Sequence, residues 1–202
     1  MTAKPKRSEK IESEIIAHAQ KRFAHYGLAK TTMNDIAADI GMSKASLYYY
    51  FKDKEALFTV VIEKEQAHFV EQFQSVMTAE CDARQLLNQY VQMRLQLFQK
   101  LLNLGKLRSS DEATKPLIRK LSCDFRSKEA RLINEILKKG IAQKEFKALD
   151  ADKISLMLVD LLFALRLAGV NNVNFGQLNK KGQSELKERT MTFLEIFLNG
   201  IS

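Results

Sequence analysis

The sequence predicts an all-α protein, and three observations carry that prediction. Breakers are scarce, with 8 Gly and 2 Pro in 202 residues. Good helix formers, Leu, Lys, Glu and Ala, are abundant. Apolar residues recur at three- and four-residue spacing along most of the chain. A hydrophobic share of 46% and a charged share of 28% match a folded soluble domain rather than a disordered chain.

Residues 1–8, with Lys4, Lys6 and Arg7, read as a basic flexible arm. The first helix follows, with Ile11, Ile15, Ile16, Ala19, Phe23 and Tyr26 on one stripe, and Gly27 stops it. Thr32-Met33-Asn34-Asp35 has the capping-box pattern and opens a short second helix with Ile36, Ala37 and Ile40 inward. Gly41 ends that helix by supplying a left-handed residue. Ser43 is the natural N-cap of a third helix, Lys44 to Tyr50, closed by Phe51. Asp53 caps the next helix, which runs to about Met77.

Longer helices are predicted beyond residue 80, over about 82–104, from Pro116 to about 143, over about 152–170 and over about 183–199. The stretch Asn171 to Gly182 reads as a loop.

Several function classes are disfavoured. Cys81 and Cys123 lie far apart with no CxxC, which argues against structural zinc and a disulfide framework. His18, His25 and His68 lack converging partners, so no metal site, cofactor or catalytic constellation is predicted. No phosphate-binding glycine loop or nucleophile elbow occurs. The apolar run Ile154 to Val170 is interrupted by Asp160 and Arg166 and reads as a buried interface helix rather than a membrane span. The polar, basic N-terminus carries no secretory signal pattern, so a cytoplasmic protein is expected.

The functional signal lies at residues 31–51. Two short helices joined through Gly41 by about three residues form a helix-turn-helix, an arrangement whose second helix can enter the DNA major groove and which from spacing alone can equally be plain scaffolding. Lys44 can donate to guanine or phosphate, Ser46 can bond either, and Ala45 allows close approach to a thymine methyl. Tyr48, Tyr49 and Tyr50 offer hydroxyls on long rigid arms. Neighbours on a helix lie about 100° apart, so at least one of the three packs inward, and Tyr50 is the expected one. Thr32 and Lys54 begin the flanking helices, where backbone N–H groups can hold a phosphate.

The segment from Ile15 to Phe58 resembles the N-terminal domain of the TetR family of bacterial transcription regulators. The residues that carry the likeness are Phe23, Gly27, Thr31-Thr32, Ile36-Ala37, Gly41-Met42-Ser43-Lys44, Leu47-Tyr48-Tyr49-Tyr50-Phe51 and Lys54-Glu55-Ala56-Leu57. Lys139-Gly140-Ile141 with Phe146 and Asp150 is similar to the tail of the family's long body helix. Many members carry Gly where Lys144 stands.

The resemblance implies a helix-turn-helix head over 9–55 and a helical effector-binding and dimerisation body over 56–202. It implies a homodimeric repressor that binds a pseudo-palindromic operator and is released by a small molecule. Thr32, Asn34, Ser43, Lys44, Ala45, Ser46, Tyr48, Tyr49 and Lys54 match positions that commonly touch DNA, and Tyr50 matches one that is sometimes packed. The alternative is an architectural or partner-binding DNA protein without an effector.

A dimer is expected physically, because one short helix reads few bases and two heads would sit about 34–36 Å apart. The helices at 152–170 and 183–199 are the expected four-helix interface, with Leu158, Leu162, Phe163, Phe193 and Phe197 as candidates and monomer core as the alternative. An apolar effector pocket could be lined by Phe69, Phe73, Phe98, Leu102, Phe125 and Phe163, although such stripes are more often core. Arg94 is expected either to hold a ligand carboxylate or to be solvated or salt-bridged. The net charge of +8 fits an anionic partner, yet residues 1–60 carry only +3 of it.

Overall fold

A computed structural model describes residues 6–77, 81–100, 112–168 and 180–202. Eight helices follow one another among them: α1 Lys6–Lys30, α2 Met33–Asp39, α3 Lys44–Tyr50, α4 Lys54–Met77, α5 Ala83–Lys100, α6 Lys115–Ala142, α7 Ala151–Ala168 and α8 Lys180–Ile201. The described residues contain no strand, so the predicted all-α class holds. None of their helices is long and apolar enough to cross a membrane.

The described residues fall into two compact units, one within 1–67 and 101–121, the other within 68–100 and 122–202. The predicted limit after residue 55 lies at the start of α4. The division between units falls inside α4, because this continuous helix gives Leu57, Phe58, Val61 and Ile62 to one core and Phe69 and Phe73 to the other.

In the first unit, Ile15, Ala19 and Phe23 of α1, Ile36 and Ala37 of α2, and Leu47 of α3 are buried together with the start of α4. Phe23 meets Phe58 edge to face at 5.1 Å, a geometry that aligns ring edge with ring face. Two details differ from the sequence prediction. Lys6, Arg7 and Ser8 of the expected arm are already helical. Gly27, at φ 79°, breaks α1 without ending it, and a helical turn continues to Lys30. That turn is held because Leu28 is buried and the Thr31 hydroxyl donates to the Gly27 carbonyl at 2.8 Å.

In the second unit the Tyr90 ring meets Phe69 and Phe73, and Phe69 meets Phe125 in turn, with ring centroids 5.2 to 5.9 Å apart. A buried polar node lies beside them. The Tyr90 hydroxyl and Arg94 Nε both donate to Glu129 Oε1 at 2.5 Å, and Arg94 Nη1 reaches the Leu162 carbonyl at 3.5 Å. Burial pushes the Tyr90 hydroxyl well above its ordinary pKa, and the Glu129 charge adds to the rise. For Arg94, burial opposes the charged form most strongly, but the Glu129 charge, the Tyr90 hydroxyl and the hydrogen bonds to both together outweigh it and raise the guanidinium pKa.

The C-terminus of α6 shows how local sequence closes a helix. Glu145 N donates to the Gly140 carbonyl at 2.9 Å and Lys144 N to Ile141 at 3.1 Å, a paired closure that requires a left-handed residue. Lys144 fills that place at φ 61°. The Glu145 carboxylate then accepts from Ala83 N at 2.8 Å, satisfying an orphan donor at the start of α5. A side chain in the left-handed region costs about 1–2 kcal/mol, which glycine avoids at some expense in chain entropy. Lys144→Gly is therefore expected to stabilise the protein by about 0.5–1 kcal/mol. The check is a thermal melt, which should rise by about 2–4 °C per kcal/mol at this chain length; an unchanged or lower midpoint would show that the turn is unstrained.

The α7–α8 pair corrects two of the five predicted interface residues. Leu158 and Leu162 are buried within the single chain, at 1% and 2% exposure, and are therefore core. The exposed large apolar side chains are instead Leu156, Met157 and Leu161 of α7 and Ile196 of α8, while Phe163, Phe193 and Phe197 are half-buried. A shift of one residue rotates a helix position by about 100°. In a helix as apolar as α7, sequence periodicity does not tell the inner stripe from the outer one. The helix α8 also begins at Lys180, so residues 180–182 of the predicted loop are helical. The remainder of that loop, from 171 to 179, lies outside the described residues.

Candidate nucleic-acid interface

The helices α2 and α3 are each seven residues long and are set by caps within a few residues of their ends. The Thr32 side chain accepts from Asp35 N at 3.2 Å, while Asp35 Oδ2 accepts from Thr32 N at 3.0 Å and from the Thr32 hydroxyl at 2.8 Å. These bonds, the Thr32 hydroxyl first and then its backbone N–H, hold the Asp35 carboxyl below its ordinary pKa, with Arg22 assisting. The α2 helix closes with Met42 N on the Ala37 carbonyl at 2.9 Å and Gly41 N on Ala38 at 3.2 Å, and Gly41 supplies the left-handed turn at φ 62°. The α3 helix opens on Ser43, whose hydroxyl accepts from Ser46 N at 3.1 Å and shares a 2.8 Å bond with the Ser46 hydroxyl.

One side of α3 faces inward and the other faces solvent. Leu47 is fully buried and Phe51 nearly so. Ser43, Lys44, Ala45 and Ser46 are exposed, as are Tyr48 and Tyr49, the latter at 84%. Lys44 Nζ lies 5.8 Å from the Tyr48 ring centre, and the Tyr49 and Tyr50 rings meet edge to face at 5.3 Å. Tyr50 is half-buried, the least exposed of the three tyrosines. Thr32 and Asn34 are exposed at the start of α2, and Lys54 is half-buried as the first residue of α4. The surface thus presents an ammonium, several hydroxyls and a small apolar methyl on a helix narrow enough for a groove, the groups that read base edges and phosphates.

Residues 15–61 match the family model described as bacterial regulatory proteins, tetR family. The chain is 42% identical to a transcriptional regulator from Cytophaga hutchinsonii across 94% of this chain and 97% of that one, with a TM-score of 0.80. The chain belongs to the TetR family. As a TetR-family protein it is a DNA-binding transcriptional regulator. It is also 40% identical over 45 residues to the HTH-type transcriptional repressor Rv1474c of Mycobacterium tuberculosis, 22% of this chain and 24% of that one. The chain matches about a quarter of the length of such curated relatives. A transcriptional regulator from Saccharomonospora viridis, solved in complex with choline, shares the fold at 20% identity and a TM-score of 0.66, over 89% of this chain and 95% of that one.

In this TetR-family regulator the sequence-predicted effector residues separate into groups. Phe69, Phe73 and Phe125 are buried; Phe69 packs on Tyr90 and on Phe125, and Phe73 packs on Tyr90. Arg94 pairs with Glu129. Phe163 is half-buried, with the Arg126 and Arg166 guanidinium groups 5.4 and 5.5 Å from its ring centre. The Phe98 side chain and Leu102 lie outside the described residues. A groove of about 360 Å³ runs between α5 and α8, lined by Arg84, Asn88, Glu188, Met191, Thr192, Glu195 and Leu198; none of the predicted effector residues that are described contributes to it.

Sequence reasoning missed Arg22, whose acidic partners lie on another helix. Asp35 and Asp39, four apart on one face of α2, were the available signal.

Proposed function

We propose that the protein is a repressor that binds a pseudo-palindromic operator as a homodimer and releases it when a small molecule binds the helical body. The observation that carries this reading is α3, a short capped helix locked to the core through Leu47, with Lys44, Ala45, Ser46, Tyr48 and Tyr49 exposed. In this reading Lys44, Ala45 and Ser46 meet base edges at the start of α3. Thr32, Asn34, Ser43, Tyr48, Tyr49 and Lys54 hold phosphates on either side, and Tyr50 contributes at the margin. A helix this short covers few base pairs, so two copies are needed for a specific site. The exposed apolar face of α7 and α8 supports a twofold pair.

For the effector, the support is the aromatic interior of the second unit and the choline complex of a regulator with the same fold. The site of action is the cytoplasm, on the nucleoid.

Replacing Lys44 with Ala is expected to weaken operator binding by about 1–3 kcal/mol if the lysine pairs with a base. Titration of a labelled operator duplex checks it, and an unchanged affinity removes Lys44 from the contact set.

Selection of bound duplexes from a random pool tests the reading as a whole. The expected consensus has two inverted half-sites with centres about 34–36 Å apart, one helical turn, or a multiple of that. Tight binding with no consensus would favour an architectural DNA protein instead.

A further inference from the structure

The first unit contains an ion-pair cluster that the DNA-reading surface does not use directly. Arg22 projects from α1 and donates through Nη1 to both carboxylate oxygens of Asp39, each at 2.7 Å. Its Nη2 lies 3.4 Å from Asp35 Oδ1. One guanidinium therefore grips α2 in its first turn and at its last residue. Asp35 is also the acid that closes the Thr32 cap, so the grip and the start of α2 share a carboxylate. The Tyr26 ring packs against the guanidinium at 5.1 Å, and Arg22 Nε is buried without a hydrogen-bond partner. The hydrogen bond that Arg22 donates to Asp39 raises the Arg22 pKa above its ordinary value, with both carboxylate charges adding to it.

A planar guanidinium fixes the directions of its two terminal nitrogens, so one that reaches two carboxylates at once carries orientation as well as attraction. An ammonium is a point charge and does not reproduce that two-ended reach. The α2 helix packs on α1 and on α3, so whatever orients α2 orients α3.

We infer that Arg22 is a positioning residue for sequence reading: its clamp on Asp35 and Asp39 holds α2, and through it α3, at the angle that brings Lys44 and its neighbours to base edges. The inference rests on the sequence-reading function proposed above. Contacts to base edges depend on that angle more steeply than contacts to the phosphate backbone, which run along the whole duplex. Loss of the clamp should therefore fall on specific binding.

The test uses the full-length protein, the duplex selected from the random pool and a random duplex of equal length. Arg22→Ala is expected to bind the selected duplex about tenfold more weakly, the worth of one good base contact. Its binding to random DNA should stay within about twofold and its salt slope should not change, since no phosphate contact is removed. Asp39→Ala should show the same selective loss, and the double variant should lose little more than either single, as expected for two ends of one interaction. Arg22→Lys should fall between Arg22→Ala and the wild type. It carries the test together with Asp39→Ala if circular dichroism shows Arg22→Ala to be unfolded.

Three results overturn the inference: unchanged affinity for the selected duplex, additive losses in the double variant, or equal weakening on both duplexes with a salt slope shallower by about one, the mark of a phosphate contact. Wild-type protein that does not prefer the selected duplex overturns the sequence-reading function itself.

Discussion

Replacing Glu129 with Ala is expected to cost about 3–5 kcal/mol of folding stability, the range for breaking a buried ion pair by removing one partner. Glu129 is 1% exposed and Arg94 3%, so the guanidinium left behind has little water to turn to. The Tyr90 hydroxyl loses its acceptor in the same step. Arg94 also reaches the Leu162 carbonyl, so the node joins α5, α6 and α7, and its loss should loosen all three. Chemical denaturation of the wild type and the variant measures the difference. Replacing Arg94 with Met, Glu129 with Leu and Tyr90 with Phe together should recover most of the loss, because well-packed apolar side chains are often as stable as a buried ion pair and no buried hydroxyl is left without an acceptor. A loss below about 1 kcal/mol for Glu129→Ala would mean that water reaches the site, as exposed pairs contribute no more than that.

The second large effect concerns the exposed face of α7 and α8. In a twofold dimer each substitution acts twice, once from each copy. Leu161→Glu combined with Ile196→Glu places four carboxylates in the interface and is expected to leave the protein monomeric in sedimentation at micromolar concentration. Operator affinity should fall with it by about a hundredfold or more, because the second head no longer binds at the high effective concentration that linkage provides. Both residues are exposed in the single chain, at 42% and 68%, so the monomer fold should survive. A dimer that persists in this variant would place the interface elsewhere.

The head was largely legible in the sequence because its determinants are local. The Thr32–Asp35 box, the Ser43 cap, the Gly41 turn and the Asp53 cap on Ala56 N are all made within a few residues. A reader needs only the residue types at those offsets to place α2 and α3.

The body was legible as helices but not as faces. Leu158 and Leu156 are chemically alike, and only the packing of α7 in the folded chain decides that one is core and the other exposed. Arg94 is a further case. Its partner Glu129 lies 35 positions away, so a lone arginine on an apolar helix could be read equally as a ligand anchor. Arg22 and Asp39, 17 apart, escaped notice for the same reason. The net charge also misled as to place, since most of the +8 lies outside residues 1–60, whereas the groove-reading groups are the few exposed side chains of α3.

The measurement that bears most directly on the central claim is the ratio of affinities for the selected duplex and for random DNA at one fixed salt concentration. A sequence-reading regulator of this kind should prefer its operator by about 10³-fold or more. A ratio close to one would contradict it, leaving a protein held to DNA by charge alone.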